Sequence, residues 1–209
     1  SELGLITDNE IEFPGGIGPI ECVNVEHEEV NMLPRTMDAK KVAFKYGLGT
    51  EFISVQKTLH ALGLDKINPV WVRSKSGKSQ VAPRDLVAAV LPDPASLVDV
   101  MTGKTCAGTL VTGKGKDGEA KATYLYHVAD TQWTAENYDA QAVVWQTALV
   151  PVIALELLAT GQWDATGVRG PEEFDAKVFL DLMAGEYGQA WGAQGRNPEN
   201  TSVIDANWE

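Results

Sequence analysis

The stretch PGGIGPIECVNVEHEEVNMLPR, residues 14–35, decides how this chain is read. Its glycines, Gly15, Gly16 and Gly18, follow Phe13-Pro14, which is a turn signal, and precede an alternating segment. From Ile17 to His27 the alternation predicts a strand. Glu21, Val23, Val25 and His27 fall on one face, and Ile20, Cys22 and Asn24 on the other. A dinucleotide-binding loop needs the opposite order: strand, glycine turn, helix, then an acidic residue about 20 positions on. The glycines here precede the strand, so the segment is read as a turn feeding a sheet.

Working outward, Lys41–Tyr46 alternates again, with Val42, Phe44 and Tyr46 inward and Lys41, Ala43 and Lys45 outward, and predicts a second strand. Gly49-Thr50 opens a helix with Phe52, Val55, Leu59 and Leu62 on its core face, stopped by Gly63. Residues 65–81 read as irregular, and Pro83 takes the first position of a helix burying Leu86, Val87 and Val90. Asp93-Pro94 starts another short helix, ending near Gly103. Thr105–Thr112 and Glu119–Val128 form a hairpin around an Asp117-Gly118 turn. Gln141–Thr160 is the longest helical stretch. Pro151 predicts a break near Gln146-Thr147, with Gly161 as the stop. Gly170-Pro171-Glu172-Glu173 reads as a helix start, with Phe174, Val178 and Leu182 as the core stripe. After Gly185 an extended tail is expected. The domain is therefore placed at 1–185 and the tail at 186–209. The element order is not alternating and predicts an α+β fold: a mixed, largely antiparallel sheet with helices on one face.

Composition narrows the function. A chain of 209 residues, 44% hydrophobic, suits one sizeable domain. The net charge of -12 excludes a nucleic-acid surface, which needs clustered Lys and Arg. The apolar run Ala148–Leu158 holds Pro151 and Glu156 and reads as too short for a membrane span. The start SELGLITDNE has no basic or apolar leader. Cys22 and Cys106, two and far apart, fit free thiols in a cytoplasm. His27, His60 and His127 lack paired spacing, and HExxH and CxxC are absent, so no metal site is expected. Gly113-Lys114-Gly115-Lys116 misses the Walker spacing, and no GxSxG occurs.

Three ordered segments carry a resemblance. The first is Phe13–Glu21 running through Val25–Val30 to Leu33-Pro34-Arg35. The second is Lys41–Leu48 with the later Ala61–Leu64. The third is Gln146-Thr147-Ala148, Pro151 and Ala154–Leu158, closing at Gly161, with Ala148 where the family usually has Gly. Together they resemble the saccharopine dehydrogenase family over residues 10–185, closer to the saccharopine reductase and lysine 6-dehydrogenase branches than to the lysine-forming enzymes. The resemblance implies a substrate domain similar to the C-terminal domain of glyceraldehyde-3-phosphate dehydrogenase, with one side of its sheet in a homodimer contact. It also implies hydride transfer between NAD or NADP, bound mainly by a domain outside this chain, and the C–N carbon of a small amino-acid substrate. The 209 residues alone are then expected to be inactive.

Such chemistry needs cations for carboxylates and a base near neutral pKa. His127, Glu21 and Lys45 are the candidates for catalysis, with His127 the preferred proton acceptor. Arg35, Tyr46, His27, Gln146 and Thr147 are the candidates for substrate binding. Lys45 and Tyr46 point to opposite faces, so at most one serves the pocket. Saccharopine chemistry, lysine 6-dehydrogenase, carboxynorspermidine-type chemistry and a non-catalytic dimerisation or ligand-binding module all stay open.

Overall fold

The computed structural model describes residues 7–75 and 77–199. The polar lead-in before residue 7 and the end of the expected tail, 200–209, lie outside the described residues. The fold is α+β. Among the described residues the strand pairings are antiparallel, and they fall into three separate small sheets rather than one mixed sheet.

The first sheet is β1 (Thr7–Phe13), β2 (Gly18–Asn24) and β3 (Lys45–Gly47). Phe13 pairs with Gly18, and Gly15, Gly16 and Gly18 all have φ between 72° and 81°. Only glycine takes that backbone without strain, so the glycine cluster is a hairpin turn. The expected strand Ile17–His27 stops at Asn24. Helix α1 (Glu28–Thr36) follows, with His27 as its N-cap and Glu28 and Glu29 in the first turn. Carboxylates at the positive end of a helix outweigh the strand pattern here. The expected strand Lys41–Tyr46 shrinks to three residues. Upstream of it only the Phe44 carbonyl joins the ladder, accepting from Val25 N–H at 3.2 Å. Tyr46, expected inward, is exposed.

Helix α2 (Thr50–Ala61) begins after Gly49 and stops at Gly63, as the glycines predicted. Its expected core stripe is mostly outside: Phe52, Val55 and Leu62 are exposed and Leu59 half-buried, while Ile53 is buried. Residues 65–81 contain a hairpin, β4 (Val70–Ser74) with β5 (Gly77–Val81), where irregular chain was expected. Trp71, Val72 and Val81 supply the β-prone residues that its lysines and serines obscured. Pro83 opens helix α3 (Pro83–Val90), yet Leu86 and Val90 are exposed and only Val87 is half-buried. Asp93 caps a single 3-10 turn, Pro94–Leu97, by accepting from Ala95 N–H.

The third sheet holds the long hairpin, β6 (Lys104–Lys114) with β7 (Ala120–Asp130), and β8 (Trp191–Arg196) paired to β7. Gly118, at φ 83°, gives the turn its left-handed residue. Within the segment after Gly185, where an extended tail was expected, Trp191–Arg196 thus pairs as a strand. Its glycines, Gly192 and Gly195, hid the strand. Asp130 ends β7 and caps helix α4 (Thr131–Tyr138), accepting from Gln132 and Trp133 N–H.

Helix α5 (Ala142–Ala159) runs unbroken through Pro151, against the expected break at Gln146-Thr147. The proline removes only the hydrogen bond to the Thr147 carbonyl. Packing of Trp145, Leu149, Ile153 and Leu157 on both sides of that point holds the helix together. Pro171–Glu173 makes one 3-10 turn and no more. Helix α6 (Ala176–Gly185) starts later, capped by Asp175. Ala129, Ala142, Trp145, Leu149, Ile153, Leu157, Trp163 and Met183 form the main core, with Phe174, Val178 and Leu182 packed against it.

Candidate active site

The candidate residues separate into two groups. Glu21, His27, Lys45 and Tyr46 lie on or beside the β2–β3 pair, where Lys45 pairs with Asn24 and Tyr46 with Val23. His27 caps α1 instead of ending a strand. Its ring stacks on Phe44 at 4.0 Å, and Nδ1 meets the carboxylates of Glu28 (3.2 Å) and Glu29. One imidazole and two carboxylates therefore converge within 4.8 Å, a grouping that paired-histidine spacing could not reveal. Arg35 is in the last turn of α1, exposed, rather than at a strand or loop end.

The second group is His127 on β7 and Gln146 on α5. Gln146 Nε2 lies 3.0 Å from His127 Nδ1 and 3.0 Å from the His127 carbonyl oxygen. A carbonyl can only accept, so the amide must present its NH₂, and Nδ1 accepts from that same group. The imidazole proton then sits on Nε2, which is buried and has no hydrogen-bond partner among the described residues. Burial pushes the imidazole below its ordinary pKa of 6.5, partly offset by the side chain of Gln189. The resting ring is therefore a neutral donor. Gln146 and Thr147 sit inside α5, not at a helix start. Thr147 is exposed and donates to the Val143 carbonyl at 2.7 Å.

Aromatic rings extend the second group. Trp145 lies 6.1 Å from His127 and meets Trp133 at 5.2 Å and Tyr138 at 5.5 Å, with Trp133 and Tyr138 open to solvent. Trp191 on β8 pairs with His127 across the sheet. Sequence reasoning missed these rings. Trp133 and Tyr138 lie on α4, whose only signal was the Asp130 cap.

A further cluster joins the two sheets. Tyr124 Oη lies 3.6 Å from Cys106 Sγ, and Arg196 stands over the Tyr124 ring at 5.3 Å. A Cβ on Gly108 would come within 2.6 Å of the Tyr124 ring, so only glycine leaves that ring its place. Burial raises the pKa of Tyr124, Cys106 and Cys22. Both cysteines are free thiols, as expected. Arg196 also donates to the Glu12 carbonyl and Lys104 to that of Gly15, tying the first hairpin to the third sheet.

The model of the saccharopine dehydrogenase C-terminal domain matches residues 3–188. The chain belongs to the saccharopine dehydrogenase family. Within it, this C-terminal domain is 31% identical over 189 residues to a carboxynorspermidine synthase of Vibrio alginolyticus, covering 90% of this chain and 44% of the relative. The carboxynorspermidine synthase of Vibrio cholerae is 29% identical over 194 residues, 93% of this chain and 45% of that protein. A carboxyaminopropylagmatine dehydrogenase of Synechocystis sp. is 29% identical over 188 residues, 90% of this chain and 46% of that protein. The chain thus spans less than half the length of these relatives. The matched span of the saccharopine dehydrogenase domain contains every candidate residue and ends just before β8, so the strand opposite His127 lies beyond it.

Proposed function

We propose that this domain is the substrate-binding part of an NAD(P)-dependent oxidoreductase that acts on a C–N bond, with a carboxylated polyamine, rather than saccharopine, as the secondary amine. The relatives carry the choice of substrate. By name, two make carboxynorspermidine and one is a dehydrogenase of carboxyaminopropylagmatine. Each named compound bears a carboxyl group on an amine chain. In the synthetic direction an amine condenses with an aldehyde, water leaves, and hydride plus a proton convert the imine to the secondary amine.

The dinucleotide itself does not fit the described residues. The glycines nearest its pattern are consumed in the β1–β2 turn. Turnover of NAD(P)H by the 209 residues alone is therefore not expected.

His127 is the side chain we assign to the substrate. Because Gln146 occupies Nδ1 and Nε2 is buried, donation from Nε2 to a substrate oxygen or imine nitrogen would require the packing over Nε2 to open, and proton acceptance would require the Gln146 contact to open. Of the other candidates, Glu21, His27, Lys45 and Tyr46 lie on or beside β2–β3, and Glu21, His27 and one of the adjacent Lys45 and Tyr46, which point to opposite faces, suit the amine and carboxylate ends of an extended substrate. Arg35 and Thr147 stand on exposed surface and are the weaker assignments.

The test is NAD(P)H formation by the intact polypeptide carrying this domain, with carboxynorspermidine, carboxyaminopropylagmatine, saccharopine and lysine in parallel. The reading expects one of the two carboxylated polyamines to give the highest kcat/KM. A preference for saccharopine or lysine would overturn it.

A further inference from the structure

We propose that Trp133 and Tyr138 on α4 form, with Trp145, a subsite for the terminal ammonium of the substrate. The inference rests on the function proposed above and names the residues that select an amine end over a carboxylate end.

The rings make a continuous path from His127 to solvent. Trp145 is nearly buried, 6.1 Å from the His127 ring. Trp133 meets it edge-on at 5.2 Å, and Tyr138 lies 5.5 Å from both. Trp133 is 39% exposed and Tyr138 55%, so both rings offer surface to a ligand. A cation over a tryptophan or tyrosine ring is attracted by the ring quadrupole. The methylenes of an alkylamine bury apolar area against the same rings. An amine held at His127 lays its chain along Trp145 toward α4.

Charge decides what the rings receive. No Lys or Arg stands between Lys121 and Arg169, whereas Asp130, Glu136, Asp139, Glu156 and Asp164 do. Asp130 is taken up by the N–H groups that start α4, and Glu156 by Tyr187. Glu136 is exposed, one helical turn from Trp133. Asp139 follows Tyr138 and closes α4 at φ 52°, a position usually given to glycine. Neither Glu136 nor Asp139 is in an ion pair among the described residues. Lys104, opposite Asp130 in the sheet, turns to the Gly15 carbonyl at 2.9 Å. An ammonium therefore meets rings and two unpaired carboxylates, while a carboxylate meets no cation on α4 or α5. A polyamine ends in an ammonium. Saccharopine carries a carboxylate at each end. Trp71 supplies the contrast: it is 69% exposed, but its hairpin face carries Arg73 and Lys78.

The experiment titrates spermidine, a linear triamine without a carboxyl group, into the intact polypeptide carrying this domain. Calorimetry reads its binding, and steady-state kinetics read KM for the substrate turned over best. Saturable binding is expected. Trp133→Leu and Tyr138→Leu should each weaken it about threefold to tenfold. KM for a carboxylated polyamine should rise by the same factor, with a smaller change in kcat. Trp133→Phe should restore part of the loss, and Trp71→Leu should change neither quantity. Should Trp133→Leu not fold, Glu136→Lys on the exposed helix face decides, with an expected loss of about tenfold. Absence of saturable spermidine binding overturns the proposal. So does binding that ignores all three α4 variants, the result expected if another part of the polypeptide covers Trp133 and Tyr138. The subsite and the substrate assignment fail separately. If saccharopine or lysine is preferred while spermidine binding still depends on Trp133, the subsite stands and the assignment falls. If a carboxylated polyamine is preferred and its KM ignores Trp133 and Glu136, the assignment stands and the subsite falls.

Discussion

The two halves of this domain use their apolar residues in opposite ways. From β6 onward, Ala129, Trp145, Leu149, Ile153, Leu157, Trp163 and Met183 close into one core, and the His127–Gln146 pair is built into its edge. Between residues 50 and 101, Ile53 is buried, while Phe52, Val55, Leu62, Val70, Trp71, Leu86, Val90, Leu91 and Val100 are exposed. Similar sequence hydrophobicity therefore produces a stable scaffold in one half and an uncovered surface in the other. The scaffold half fixes the His127–Gln146 pair, and the other half is held chiefly by local hairpins and helix turns.

The largest effect should come from the scaffold. Leu157→Ala removes a fully buried side chain from the core centre, and a loss of about 2–5 kcal/mol is expected in denaturant unfolding. A loss under about 1 kcal/mol would break the contrast between the halves.

The polar edge of that core comes next. Gln146→Met keeps the volume and strips the donor from His127 Nδ1 and from its carbonyl, for an expected loss of about 1–3 kcal/mol. His127 adds a pH dependence. Its folded pKa lies below the ordinary 6.5, so the unfolded chain binds the proton more tightly. Stability from this group is present above the unfolded value and lost as pH falls from there through the folded value. His127→Gln should flatten that part of the profile, and an unchanged slope would contradict the burial of the ring.

How much of this was legible varied along the chain. Asp117-Gly118 between two alternating runs announced β6–β7, and Gly63, Gly161 and Pro83 marked helix ends correctly, because each acts through local backbone geometry. The errors were tertiary. Pro151 did not break α5, since packing on both sides outweighed one lost hydrogen bond. The faces assigned to α2 and α3 were apolar but not covered, and periodicity cannot say whether a partner surface exists. Helix α1 overrode a strand pattern at His27, and β8 was hidden by Gly192 and Gly195. For the site, His127 and Gln146 were both named from sequence, but their 19-residue separation gave no hint that they touch. The rings of Trp133, Tyr138 and Trp145 were not seen at all.

The smallest effect belongs to the open half. Val90→Ser, on exposed α3, should change stability by no more than about 0.5 kcal/mol. A larger loss would mean that α3 is covered in solution.

Native-state amide hydrogen exchange tests the contrast most directly. Amides of β6, β7 and the buried face of α5 should exchange only through global unfolding. Those of α2, the β4–β5 hairpin and α3 should exchange through local openings of clearly lower free energy. Equal protection of α3 and α5 would contradict the account, because it would require a core beneath residues 83–90 that this fold does not provide.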